Sequence, residues 1–255
     1  MSKELFTSAS GSSWVRFRKL SPESRFDKIS QFRIRSVLLV SSLYDSFLFS
    51  ESGAEEVVLA DMYSELQLLL PPTLKRVSSA EEAFEELGAN HYDLLICMLR
   101  VEGMDVFDFM SRIKEQHPSL PIHLLATSTK ELGALDPRVD KAYRFNVNKT
   151  MGWNKGLTGI ENVWSWPFVW QGDATLFLAM IQCVEDRINA GKDARSCDVQ
   201  VIILVEDNVK FYSSYAPVLY TELVKQTHKV MADSRNRTQR MRRMRARPKI
   251  LLANT

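Results

Sequence analysis

Short apolar runs separated by stretches of helical period constrain this chain more than any other feature. Ser36–Val40 (S-V-L-L-V), Asp93–Leu99 (D-L-L-I-C-M-L), Pro121–Thr127 (P-I-H-L-L-A-T) and Val201–Val205 (V-I-I-L-V) are continuous rather than alternating. Runs of that kind suit parallel strands covered on both faces. Between the first two lies 55–70, with Val57, Val58, Met62, Leu66 and Leu69 at helical spacing, stopped by Pro71 and Pro72. A short strand at Lys75–Val77 follows, then a capping box at Ser79–Glu82 that opens a helix running through Leu87 and closed by Gly88. Asp105–Gln116 reads as an amphipathic helix. The order strand, helix, strand, helix, strand, helix, strand predicts an α/β fold with a doubly wound parallel sheet.

The run at Val201–Val205 ends in Glu206, Asp207 and Asn208. Open α/β sheets bind ligands at the carboxyl ends of their strands, and two carboxylates there could hold a hard cation such as Mg²⁺ through oxygen ligands. The plain alternative is a surface acid pair after a buried strand. V-I-I-L-V-E-D-N resembles the first strand of the receiver domain of bacterial response regulators, and the pattern over residues 36–190 is similar to a whole receiver. The resemblance implies a flavodoxin-like fold and a set of phosphoryl-transfer residues that this first copy lacks. Counting back from Met104-Asp105, the phosphoacceptor aspartate falls on Met98 or Leu99; Ser41-Ser42 replace the acid pair of the first strand; Trp170 stands for the lysine. Only the hydroxyl after the fourth strand has a counterpart, in Thr127 or Ser128. Phosphoryl transfer depends on positioning and cation-assisted charge neutralisation, so a copy without these groups is expected to be inactive, a pseudo-receiver.

Between the fourth strand and a fifth near Phe168, residues 133–162 form an insertion far longer than the usual loop. It carries Arg138, Lys141, Arg144, Lys149 and Lys155. Four of the five tryptophans, Trp153, Trp164, Trp166 and Trp170, lie in or just after it. Basic residues among aromatics can bind single-stranded nucleic acid or a protein; the favoured reading is that Trp164, Trp166, Phe168 and Trp170 alternate along a strand and pack internally. Asp173 is expected to cap a helix from Ala174 to Ala190, closed by Gly191. The expected organisation is thus an N-terminal arm or helix (1–34), a degenerate receiver-like domain (35–190), a polar linker (191–198), and the incomplete start of a second receiver-like unit (199–255) with a long helix interrupted only by Pro217.

Charge is uneven. The chain carries a formal +2, yet residues 234–249 hold eight Arg or Lys and no acid, which leaves the remainder at about −6. Nucleic-acid binding through this run is the sharp reading, and a solvated helix face packing through Met241 and Met244 is the favoured one. Cys97, Cys183 and Cys197 are odd in number and widely spaced, which suits reduced thiols, and His91, His117, His123 and His228 show no metal-ligand spacing. No run reaches a membrane span and no secretory leader is visible, so a cytoplasmic location is expected.

Longer strings, V-S-S-L-Y-D-S-F, F-V-W-Q-G-D-A, V-E-D-N-V-K-F-Y-S-S-Y-A-P-V-L-Y-T-E-L and R-M-R-A-R-P-K-I-L-L-A, resemble the N-terminal region of large bacterial phosphoenolpyruvate synthase or pyruvate phosphate dikinase-like proteins with receiver domains in front. That resemblance implies an attached C-terminal phosphotransferase as partner. These residues contain no glycine-rich phosphate loop, no catalytic histidine motif and no nucleophile paired with a base, so no catalytic or cofactor-binding residue is assigned. Three functions follow: a non-catalytic regulatory or interaction module acting on a protein partner or as a homodimer; a phosphorelay receiver with Mg²⁺ at Glu206 and Asp207; or nucleic-acid binding through 234–249.

Overall fold

The computed structural model describes residues 29–42, 44–45, 55–66, 68, 70–134, 166–231 and 246–253. Most of the N-terminal arm, nearly all of the insertion with Trp153 and Trp164, and the arginines of the basic run up to Arg245 lie outside them.

Five parallel strands form the first sheet: β1 (Ser36–Val40), β2 (Thr73–Val77), β3 (Leu94–Met98), β4 (Ile122–Ala126) and β5 (Pro167–Val169). Their spatial order is β2-β1-β3-β4-β5, the flavodoxin-like doubly wound order. The apolar runs are continuous because both faces are covered. Val37, Leu39, Leu94, Ile96, Leu125 and Phe168 point to one side, towards Leu59 and Tyr63 of α1 (Glu55–Glu65) and the long α5 (Thr175–Cys197). Leu38, Val40, Leu95, Cys97, Ile122 and Leu124 point to the other, towards α2 (Ala80–Ala89) and α3 (Val106–Gln116). Each such fully buried aliphatic side chain contributes about 1.5–3 kcal/mol relative to exposure. Between β4 and the insertion lies the short α4 (Thr129–Ala134).

The helix at 79–89 starts as its sequence predicts, with Ser79 Oγ accepting from Glu82 N at 3.2 Å. The reciprocal bond goes one residue further out, from Ser78 N to Glu82 Oε2 at 2.7 Å. Gly88 does not end this helix, which continues to Ala89. Towards the other end of the chain, α5 runs through Gly191 to Cys197, so 191–197 is helix and not a linker. Its stop is Asp198, in the left-handed conformation at φ 58°, with its N–H bonded to the carbonyls of Ala194 and Asp193. An aspartate tolerates that conformation and so replaces the glycine usual at a helix end.

Beyond it, β6 (Val201–Val205), α6 (Val209–Met231) and β7 (Lys249–Ala253) form a second small parallel sheet with one crossover helix. It does not stand apart. Ala216 and Tyr220 of α6 and Ile250 of β7 close around Ala179 of α5, and Tyr212 and Leu252 join the core of the first sheet. The α6 helix also covers the β5 edge: Val169 N donates to Ser213 Oγ at 3.0 Å, Tyr212 OH donates to the Pro167 carbonyl, and Trp166 meets Tyr212 edge-on at 5.9 Å. Sheet edges with free N–H groups invite foreign strands, and this one is closed from within. Trp166 and Phe168 are therefore core, in line with internal packing of the aromatic strand.

The expectation that Val201–Val205 is buried on both faces is wrong for the strand as it stands. Val201, Ile202, Ile203 and Val205 are 36, 39, 62 and 54% exposed. The reason is positional: among the described residues β6 pairs with β7 alone, and it is β7, with Ile250 and Leu252, that meets the rest of the core. A charge-free apolar edge of this kind promotes association. The unmodified chain is expected to self-associate at high concentration in sedimentation, and Ile203→Lys is expected to abolish this while leaving the melting temperature nearly unchanged. Equal association of the two proteins would show that the edge is not the contact.

Candidate functional site

In a sheet of order β2-β1-β3-β4-β5 the strand order reverses between β1 and β3, and ligands bind beyond the carboxyl ends of those strands. Because all five strands are parallel, Ser41, Met98, Leu99, Thr127 and Trp170 all come to this edge. Ser41 is buried, donates its N–H to the Val77 carbonyl at 3.1 Å, and its hydroxyl has no hydrogen-bond partner among the described residues. Ser42 Oγ donates to the buried carboxylate of Asp45 at 2.8 Å, and Asp45 N returns a bond to the same hydroxyl at 3.1 Å. Met98 is buried, with Leu99 partly buried beside it. Neither can accept phosphate.

Thr127, at the end of β4, is engaged. Glu131 Oε2 accepts from Thr127 N at 2.9 Å and from Thr127 Oγ1 at 2.5 Å, and Glu131 Oε1 accepts from Arg100 at 2.7 Å. Ser128 Oγ accepts from Glu131 N at 3.3 Å. Burial raises the Glu131 carboxyl, but the Thr127 bonds and the Arg100 charge outweigh it and hold the group below the usual range. The first turn of α4 thus folds over the hydroxyl and links it to the residue after Leu99. Trp170 leaves the sheet with its N–H on the Ala126 carbonyl at 2.8 Å and tilts its ring against Phe177 of α5 at 5.7 Å. At this edge the chain can pack, pair charges and hold a hydroxyl. Among the described residues, the three that close β3 (Met98, Leu99, Arg100) include no carboxylate, and Trp170 and Gln171 after β5 include no lysine.

Glu206 and Asp207 follow β6, at the carboxyl end of the second sheet. Glu206 N donates to the Ala253 carbonyl at 3.1 Å, which extends the β6–β7 ladder, and Glu206 Oε1 accepts from Asn208 N at 2.9 Å. Asn208 Oδ1 in turn accepts from Lys210 N at 3.0 Å in the first turn of α6. Glu206 is half-buried and Asp207 exposed. The pair would supply two of the six oxygens that Mg²⁺ requires, with water completing the shell. Among the described residues no three His, Cys, Asp or Glu side chains gather as a metal site.

The largest polar cluster was not foreseen. On α5, Gln182, Glu185, Asp186, Asn189 and Asp193 share one stripe, at helical spacings of three and four. Asp186, wholly buried, receives Arg247 in a two-pronged pair, NH1 to Oδ2 and NH2 to Oδ1 at 2.8 Å each, and also Ile250 N at 2.8 Å. Gln182 Oε1 accepts from Arg247 NH2, and the guanidinium lies over the Tyr220 ring, 5.4 Å from its centre. Lys249 Nζ lies 3.7 Å from Asp186 and 3.6 Å from Asp193 and donates to Ser30 Oγ at 2.5 Å. Burial, and then the neighbouring Arg247, lower the Lys249 ammonium from its ordinary value. Arg247 and Lys249 belong to the basic run by sequence, but they are buried ion-pair partners and not a solvated or nucleic-acid-facing surface. The sequence signal was present in the acid and amide stripe, hidden by closing the helix at Gly191.

No protein-family model and no curated protein matches this chain. Among solved structures, it is similar to the signal receiver domain of an HD domain-containing protein from Pseudomonas fluorescens Pf-5, at 21% identity over 64% of this chain and 94% of that one, with a TM-score of 0.35. It is similar to the receiver domain of nitrogen regulatory protein C at 18% identity over 62% and 98%, TM-score 0.35. A third is the response regulator TrrA from Thermotoga maritima in complex with Mg²⁺ and BeF, at 16% identity over 46% and 99%, TM-score 0.30. Likenesses of this size carry no inference about activity; the flavodoxin-like assignment rests on strand order and parallel register.

Proposed function

We propose that this chain is a non-catalytic regulatory module, a pseudo-receiver that passes on a conformational or binding signal and does not accept phosphate. One observation supports the reading. At the carboxyl edge of the flavodoxin-like sheet, the positions that the receiver resemblance gives for acid pair, nucleophile and lysine fall on Ser41-Ser42, Met98 or Leu99, and Trp170, and the Thr127 hydroxyl is tied to Glu131 and, through it, to Arg100. Incubation of the whole chain with acetyl phosphate and Mg²⁺ is expected to give no phosphate adduct within residues 1–190 by peptide mass spectrometry. A Mg²⁺-dependent adduct there would overturn the reading.

A second reading applies to the other sheet. The order β6–α6–β7 repeats β1–α1–β2, and here the first strand does end in acids, which supports Mg²⁺ binding at Glu206 and Asp207 in a phosphorelay receiver. Magnesium titration followed through the backbone resonances of Glu206–Asn208 tests it, with no shift at millimolar Mg²⁺ counting against it. An attached phosphotransferase using ATP and phosphoenolpyruvate or pyruvate remains our proposal for the partner. It predicts a native polypeptide much larger than 29.2 kDa on an immunoblot of the source cells.

A further inference from the structure

Among the described residues the outer edge of β6 meets no strand. The inner edge fixes which groups lie there. Lys249 N donates to the Gln200 carbonyl at 2.9 Å and Glu206 N to the Ala253 carbonyl at 3.1 Å, so the even-numbered residues from 200 to 206 turn their N–H and C=O groups towards β7. Val201, Ile203 and Val205 therefore turn theirs outwards. One flank of α6 runs beside them. Leu219 and Leu223 of α6 pack with Leu204 and Ile250, while Ala216 and Tyr220 meet α5. Phe211, Tyr215 and Val218, at spacings of four and three, form the flank turned away from α5, on the β6 side, and are 46, 47 and 61% exposed. Phe211 and Tyr215 stack at 6.1 Å, so strand edge and helix flank make one apolar surface.

We propose that this surface is the two-fold interface of a homodimer, in which β6 pairs antiparallel with β6 of a second copy about Ile203 and the two α6 flanks meet above the pair. The occupant follows from the strand itself, because V-I-I-L-V reads nearly the same in both directions. Two copies of one strand pair antiparallel in a sheet through a two-fold axis perpendicular to it, which keeps each face on its own side, so the centre must fall on a residue. Centred on Ile203, Val201 opposes Val205 of the second copy, Ile202 opposes Leu204, and Gln200 opposes Glu206, an amide against a carboxylate. The outward N–H and C=O groups of Val201, Ile203 and Val205 are then all paired. A centre at Ile202 sets Asp198 against Glu206, and one at Leu204 sets Ile202 against Glu206 and Val201 against Asp207. The helices fit the same arrangement. Centred over a two-stranded sheet, α6 stands about 9.6 Å from its mate, twice the strand spacing and within the 8–10 Å of packed helices. The exposed apolar side chains of β6 and the α6 flank amount to roughly 450 Å² per copy. That is the apolar share, a little over half, of a standard interface of about 800 Å² per partner. The other edge of the sheet lies on α5, where Asp186 holds Ile250 N, so each copy has one edge to give and assembly closes at two.

Sedimentation of the whole chain is expected to show a species of twice 29.2 kDa and none larger. Tyr215→Glu, on the helix flank, should weaken the dimer at least tenfold, as should Ile203→Lys on the strand; both side chains are exposed, so the monomer keeps its fold. The register is read by cross-linking in a Cys197→Ser background, since Cys97 and Cys183 are buried. At the two-fold axis Ile203→Cys faces its own copy with Cα atoms about 5.5 Å apart, inside the roughly 4.4–6.8 Å that a disulfide spans. Mild oxidation should link it at least tenfold faster than Ile202→Cys. A monomer at every concentration, open-ended polymers, a dimer indifferent to Tyr215→Glu, or faster linking through Ile202→Cys would each overturn the proposal.

Discussion

Asp186→Asn is expected to destabilise the chain by about 3–5 kcal/mol, the usual cost of leaving a buried ion pair with one partner. That is a large share of the roughly 5–15 kcal/mol that separates folded from unfolded domains. The substitution keeps volume and part of the hydrogen bonding, so the loss is one of charge. Arg247 and Lys249 would remain buried with one carboxylate fewer between them, and Ile250 N would lose a charged acceptor. Urea denaturation checks the value, and a loss below about 1 kcal/mol would show that water reaches Arg247. Replacing both members, Asp186→Leu with Arg247→Met, should not restore stability, because Ile250 N and Gln182 Oε1 would stay buried without these partners and Lys249 would keep Asp193 alone. The consequence for architecture is direct. Arg247 and Lys249 belong to the second sheet, Asp186 and Asp193 to the last helix of the first, and Ser30 to the segment before β1, so the destabilised variant should lose α6 and β7 protection before β1 and β3.

Elements with a complete signal in their own residues were legible. β1, β3 and β4 are apolar apart from Ser36 and His123 because helices cover both faces, and Ser79 with Glu82 marks a helix start by hydrogen bonding within four residues. What failed depended on partners distant in the chain. Val201–Val205 has the composition of a central strand and yet lies at an edge, because composition reports what a strand tolerates and not which neighbours it has. Gly191 resembles a helix stop, but α5 continues past it, and Asp193, just beyond, gains from Ser30 and Lys249 contacts more than 50 residues away in sequence on either side. Arg247 and Lys249 look like the end of a solvated basic run for the same reason. Their acids sit on a helix that had been read for its apolar face alone.

That helix face explains how the two sheets can respond together. Along its apolar side α5 contacts the first sheet, and along its polar side it contacts residues 30–34 and β7, so all three pack on this one helix. The Thr127–Glu131–Arg100 network at the carboxyl edge is a separate cluster and half-exposed. The described contact between the two sheets therefore runs through α5, whose buried groups have two sets of partners, and not through the Thr127 cluster.

Acid should unfold the chain through one residue on the sheet before most carboxylates titrate. His123, in β4, is buried, donates from Nε2 to the Met180 carbonyl of α5 at 3.2 Å, and stands edge-on to Phe168 at 5.0 Å. Burial pushes its imidazole down from 6.5 to about 4, against the smaller opposing pull of the Met180 and Trp166 backbone. At 1.36 kcal/mol per unit this corresponds to about 3 kcal/mol. The folded-state value lies below the unfolded one, so between pH 6.5 and 4 the unfolded chain binds more protons. The neutral ring's contribution is intact above pH 6.5, falls through that window, and is lost below pH 4. His123→Leu removes the titration and also the Met180 hydrogen bond. Its stability at pH 7.5 should be lower than that of the unmodified chain by about 1 kcal/mol, the usual net worth of one hydrogen bond. Its decline from pH 6.5 to 4 should be shallower by about 3 kcal/mol, because the carboxylates common to both proteins cancel in the difference. Parallel pH curves would mean that His123 opens to water before it takes up a proton, with β4 and α5 parting first.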